Sequence, residues 1–149
     1  MSTRLIGHSR APLALAAIRR DMDAKATLWT VEVNPAVAAV ARRHLGHDPR
    51  LRFFVEDGEQ FLARERRRRF DLIFADSWPG KFSSLALTLE LLAVGGYYVI
   101  DDLLPQSNWP SDHQPNVDQL VAILDARPDL VLTKLDWSTG LIVATHIGR

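Results

Sequence analysis

The chain has 149 residues, 47% of them hydrophobic and 24% charged, the balance of a single globular domain, 1-149, with a core of its own. Eighteen Lys plus Arg against eighteen Asp plus Glu give a formal net charge of zero, so no global field holds nucleic acid or an anionic membrane, and a small molecule is the expected partner. The lack of cysteine excludes disulfides, thiolate metal sites and cysteine nucleophiles, and suits a reducing compartment.

The first residues, MSTRLIGHSRAPLALAAIRRDMD, hold an apolar stretch too short to span a bilayer and broken by arginines, without the order of regions of a signal peptide. A soluble, cytoplasmic chain is expected. Within that stretch Thr3 to Ile6 reads as a short strand and Leu13 to Arg20 as a helix behind Pro12; Thr27 to Val33 reads as a second strand. Asn34-Pro35 then offers an N-cap and a first-turn proline to a helix from about Ala36 to Leu45, ended by Gly46. Leu51 to Glu56 is a strand, Glu59 to about Arg67 a helix, and Phe70 to Asp76 a buried strand. Phe82 to Leu92 predicts a helix stopped by Gly95-Gly96, and Tyr97 to Ile100 a strand running into Asp101-Asp102. After a Pro-rich segment reaching Asn116, Val117 to Ala126 is a helix. Leu130 to Leu135 and Gly140 to Thr145 are strands too close in sequence for a crossover helix, so they should pair antiparallel. Strands alternating with helices imply right-handed βαβ units and a doubly wound α/β sheet, mostly parallel.

Three strands end in acids: Glu32, Asp76 and Asp101-Asp102. Ligands of open α/β sheets bind beyond the carboxyl ends of the strands, so these acids face one crevice; individually, each could equally cap a following helix. Glu32, downstream of Gly7, can accept from both hydroxyls of an adenosine ribose, because a carboxylate is a bidentate acceptor. Asp57-Gly58 can set an acceptor near an adenine amino group while the glycine lets backbone approach the ring; the same pair also fits a tight turn capping the next helix.

In this order, the runs TLWTVEVNPAVAAVARRHL, RLRFFVEDGEQFL, FDLIFADSWPGKF, LLAVGGYYVIDDLLPQSNWP and LDWSTGLIVAT resemble the body of a class I S-adenosylmethionine-dependent methyltransferase of the bacterial O-methyltransferase-like, catechol O-methyltransferase-related group. The resemblance covers roughly Thr27 to Thr145. It implies a Rossmann-like sheet of order 3-2-1-4-5-7-6 with strand 7 antiparallel, and S-adenosylmethionine held by Gly7, Ser9, Glu32, Asp57, Gly58 and Asp76. The departure lies in the glycine turn, where G-x-G-x-G is replaced by Gly7-His8-Ser9-Arg10-Ala11. Ser9 and Ala11 are small, but Arg10 brings bulk and charge beside a sulfonium.

Methyl transfer to oxygen needs an oriented, deprotonated nucleophile in line with the methyl group. By the resemblance, Asp76, Asp101 and Asp102 match the Mg²⁺ ligands of the catechol enzymes, with Asp102 where asparagine is usual; hard oxygen ligands suit Mg²⁺ or Ca²⁺. Without a metal, Asp101-Asp102 would cap the following segment. Lys81 is the candidate general base, although Pro79-Gly80 separates it further from Asp76 than in the catechol enzymes; its plainer role is a solvated residue near a helix start. His113, in the loop after the fifth strand, is a second base or a surface residue. Trp78 and Trp109 sit on loops over the crevice, where flat walls can hold an acceptor. Trp29 and Trp137 read as core or edge packing. The run Arg64-Glu65-Arg66-Arg67-Arg68-Arg69 reads as a solvated helix end whose arginine stems also cover apolar sheet. Three functional classes follow: an O-methyltransferase for a small hydroxylated acceptor, a noncatalytic methyltransferase-like subunit that binds a partner protein, and, ranked last for want of evident hydride-transfer residues, an NAD-dependent oxidoreductase. A stable homodimer or obligate hetero-complex, with Glu32→Ala leaving function intact, would select the second.

Overall fold

The computed structural model describes residues 3–7, 20 and 22–148 of the chain. In chain order it has β1 (Thr3–Gly7), β2 (Thr27–Val31), α1 (Pro35–Leu45), β3 (Leu51–Phe54), α2 (Gly58–Arg64), β4 (Phe70–Ala75), α3 (Leu85–Glu90), β5 (Leu92–Ile100), α4 (His113–Asp125), β6 (Leu130–Leu135) and β7 (Leu141–His146). The strands form one sheet of order β3-β2-β1-β4-β5-β7-β6, as the resemblance implies. β3, β2, β1, β4 and β5 pair in parallel, and β7 runs antiparallel to both β5 and β6. The helix expected over Leu13 to Arg20 falls almost wholly outside the described residues, as do Ser9 and Arg10.

Alternation along β2 builds both faces. Trp29 and Val31 point into the larger core, with Phe61, Phe70, Tyr98 and Ile100, while Leu28 joins Met22, Ala26 and Leu45 in a smaller one. Trp29 lies 5.0, 6.2 and 5.7 Å from Phe54, Phe61 and Phe70, centroid to centroid, within the range where aromatic pairs add to simple burial. Arg68 lies over the Trp29 ring at 5.1 Å and Arg64 over Phe54 and Phe61 at 5.7 and 5.4 Å, so the arginine run roofs the aromatic core as its stems allow. Trp137 does not pack as the sequence suggests: it is 70% exposed in the turn between β6 and β7.

Of the element boundaries that differ from expectation, three have a clear local reason. The fourth helical stretch does not run from Phe82 to Leu92. The N–H groups of Lys81, Phe82 and Ser83 all turn back to the Trp78 carbonyl, Ser84 takes φ +56°, and only then does α3 begin. Gly95-Gly96 does not stop that helix but lies inside β5, where the register shifts against β4. A Cβ on Gly96 would meet the carbonyl oxygens of Ala93, Phe70 and Asp71 at 2.8, 3.1 and 3.2 Å, so only glycine fits the bulge. α4 starts at His113 rather than Val117, because Pro115 falls in the first turn, where a missing N–H costs nothing.

Candidate functional site

Parallel pairing brings the carboxyl ends of β2, β3, β4 and β5 to one edge of the sheet, where ligands of such sheets bind. On one side of that edge stand Gly7, Glu32 and Asp57-Gly58. Gly7 ends β1 between Val31 and Ala75. Glu32 follows β2 and is 9% exposed; its own N–H bonds the Phe54 carbonyl, and its Oε1 accepts from the Asn34 N–H at 2.8 Å. Asn34 in turn caps α1 by accepting from Ala36 N at 2.9 Å, so this carboxylate is oriented by the same turn that starts the helix. Asp57 caps α2, its Oδ1 accepting from Glu59 N at 2.9 Å and Gln60 N at 3.1 Å. A Cβ on Gly58 would come within 2.8 Å of Pro79 Cβ, so the glycine lets α2 and the loop after β4 close against each other.

On the other side, the loop after β4, the end of β5, the start of α4 and the β6–β7 turn are tied together by side chains. Asp76 ends β4. Lys81, 3% exposed, donates through Nζ to the carbonyls of Asp101 at 2.5 Å and Asp102 at 3.2 Å, and lies 4.7 Å from the Phe82 ring centroid. Burial lowers its pKa from the ordinary lysine value, against the opposing pull of Asp102, Asp76 and Asp101. The loop that carries Lys81 is anchored by Tyr98, whose hydroxyl donates to the Gly80 carbonyl from a fully buried position; burial pushes that phenol up.

Asp101 Oδ1 accepts from Thr139 Oγ1 and from the Asp102 N–H, both at 2.7 Å. The Thr139 carbonyl accepts from Leu103 N at 2.9 Å and Leu104 N at 2.7 Å, and Gly140, at φ +85°, has no room for a Cβ against Leu104. Asp102 itself is left-handed, with φ +61°. His113 is not the loop residue the sequence suggests but the first residue of α4: Nε2–H donates to the Asp102 carbonyl at 3.1 Å. Its ring lies 3.8 Å from Trp109 and 5.4 Å from Phe82, and Phe82 is 4.9 Å from Trp78. Trp78, His113 and Trp109 are thus joined into one aromatic wall through Phe82. Sequence reasoning missed Phe82 and Thr139: Phe82 meets His113 and Thr139 meets Asp101 only across long stretches of chain.

The expected metal set of Asp76, Asp101 and Asp102 is not assembled. Among the described residues no three His, Asp or Glu side chains come together as a metal site. The reason is local: Asp101 is committed to Thr139 and to backbone, and the carbonyls of Asp101 and Asp102 face the Lys81 ammonium. An octahedral Mg²⁺ demands near-ideal geometry from its oxygens, which this arrangement does not offer.

No protein-family model matches the chain, and no curated protein matches its sequence. Solved structures share its fold. The O-methyltransferase TomG from Streptomyces achromogenes, involved in tomaymycin synthesis and solved in complex with SAM, has a TM-score of 0.83 at 19% identity, covering 98% of this chain and 73% of its own. An O-methyltransferase from Bacillus cereus in complex with SAH gives 0.83 at 17% identity, over 97% and 73%. The SAH-bound Podospora anserina methyltransferase PaMTH1 gives 0.77 at 21%, over 97% and 71%. The architecture is therefore a Rossmann-like fold shared with these O-methyltransferases.

Proposed function

We propose that the chain is an S-adenosylmethionine-dependent methyltransferase acting on an oxygen of a small hydroxylated acceptor. The observation that supports this reading is the succession of strand ends along one sheet edge, Glu32 after β2, Asp57 beyond β3, Asp76 after β4 and Asp101-Asp102 after β5, in a fold shared with SAM- and SAH-bound O-methyltransferases. The donor side fits a nucleoside: Glu32 is a buried carboxylate held in one orientation by Asn34, as a ribose diol requires. Gly7, Ser9 and Gly58 would border the same molecule, and Asp57 and Asp76 would receive its polar groups. When bound, S-adenosylmethionine supplies a methyl group on a sulfonium.

The remaining work belongs to the chain. A carbonyl only accepts, so the His113–Asp102 bond fixes the proton on Nε2 and leaves the lone pair on Nδ1. His113 is the general base that takes the acceptor's proton at Nδ1. Lys81, the other candidate base, has its Nζ engaged by two carbonyls, so it orients the end of β5 rather than taking the acceptor's proton. Asp76 accepts a hydrogen bond from the acceptor, and Trp78 and Trp109 wall it in and exclude water.

Calorimetric titration with S-adenosylhomocysteine tests the reading. Wild type should bind, and Glu32→Ala should bind about tenfold to a hundredfold more weakly, the worth of a charge-assisted pair at about 1.5–3 kcal/mol. No binding and no thermal shift at millimolar S-adenosylmethionine would sink the enzymatic reading and leave the noncatalytic subunit.

A further inference from the structure

Divalent-dependent methyl transfer needs a cation beside the acceptor oxygen, yet the three acids that would hold it are not gathered, and the Lys81 ammonium lies on the main-chain carbonyls of two of them. We infer that Lys81 is a resident cation: its ammonium, seated on the Asp101 and Asp102 carbonyls, stands where a divalent ion would otherwise sit, and methyl transfer proceeds without one. This rests on the methyltransferase reading above.

Four observations converge on Lys81. It is buried, and its Nζ lies within hydrogen-bond reach of two successive carbonyls, at 2.5 and 3.2 Å. The same ammonium feels the charges of Asp102, Asp76 and Asp101, which are the acids expected to bind metal. It rests on the face of Phe82, the ring that also meets His113 edge-on. Finally, the Tyr98–Gly80 bond and the left-handed Gly80 fix the loop that delivers it. A unit charge held in a poorly solvated site is worth far more than one in water and costs no reorganisation during the reaction. The chemistry balances without a metal: the acceptor hydroxyl gives its proton to His113, the oxygen's pair forms the new bond to the methyl carbon, and the pair of the broken carbon–sulfur bond stays on sulfur. Lys81 is a positioning residue here, holding the acids and the β5 end in place and supplying field rather than contact.

Titration with Mn²⁺, followed by electron paramagnetic resonance, decides the matter. Wild-type chain should show no stoichiometric Mn²⁺ site up to about 1 mM, the weak limit of oxygen-ligand sites. Lys81→Met, which leaves the acids uncompensated, should gain Mn²⁺ affinity by about tenfold or more, whereas Lys81→Arg should stay metal-free. Should Lys81→Met fail to fold, Lys81→Gln and the wild-type titration carry the test. A wild type that binds one Mn²⁺ per chain, or a folded Lys81→Met or Lys81→Gln with no gain, overturns the inference. Wild-type S-adenosylhomocysteine binding in EDTA separates the two claims: its absence overturns the methyltransferase reading, while its presence beside a bound Mn²⁺ overturns only the resident cation.

Discussion

The two sides of the cleft are built differently. On the donor side each carboxylate is held by backbone two or three residues away: Glu32 by Asn34, and Asp57 by Glu59 and Gln60. On the acceptor side the bonds leap along the chain, Lys81 to Asp101, Thr139 to Asp101, His113 to Asp102 and Tyr98 to Gly80. A side assembled from short-range turns keeps its geometry wherever its helix forms. A side assembled from four distant segments exists only once the whole sheet is in register.

That contrast can be broken by mutation. The largest effect is expected at the acceptor side's clamp. Gly140→Val adds a β-branched side chain at φ +85°, where a Cβ already sits 2.6 Å from Leu104 Cγ. The loss should be about 3 kcal/mol or more from strain and overlap together, read as a fall in denaturant midpoint. Next comes Tyr98→Phe, which strands the Gly80 carbonyl in a buried place. It should cost about 1–3 kcal/mol and loosen the Lys81 loop, seen as faster amide exchange at residues 80–83 with β1–β3 unchanged. The smallest is Asp57→Ala on the donor side, the loss of one helix cap at about 1 kcal/mol, with protection changes confined to α2. If Asp57→Ala instead disturbed β5 or α4, the proposed independence of the two sides would be wrong.

The same contrast explains what could be read from the residues. The sheet order follows from strand and helix alternation together with the family resemblance, and the caps at Asn34 and Asp57 from residue types that accept from nearby N–H groups. His113 was visible as a titratable side chain but not as a helix start, since Pro115 reads as loop until the first turn is known to tolerate it. The metal reading took Asp76, Asp101 and Asp102 as a set because their positions match; Thr139, 38 residues from Asp101, redirects one of them, and no local pattern announces that. Lys81 was legible as chemistry, but its burial and its two carbonyl partners depend on how Pro79-Gly80 turns the loop, which spacing alone does not specify.

The left-handed turn at Asp102 has a consequence for how this region can vary. It sets two consecutive peptide oxygens toward one ammonium, so the seat for that charge is made of main chain. Peptide oxygens persist through any substitution that respects the turn. Asp102→Gly, with φ > 0 available at no steric penalty, should therefore keep the seat intact while deleting its carboxylate, and related chains are free to drift at that side chain so long as the bend survives.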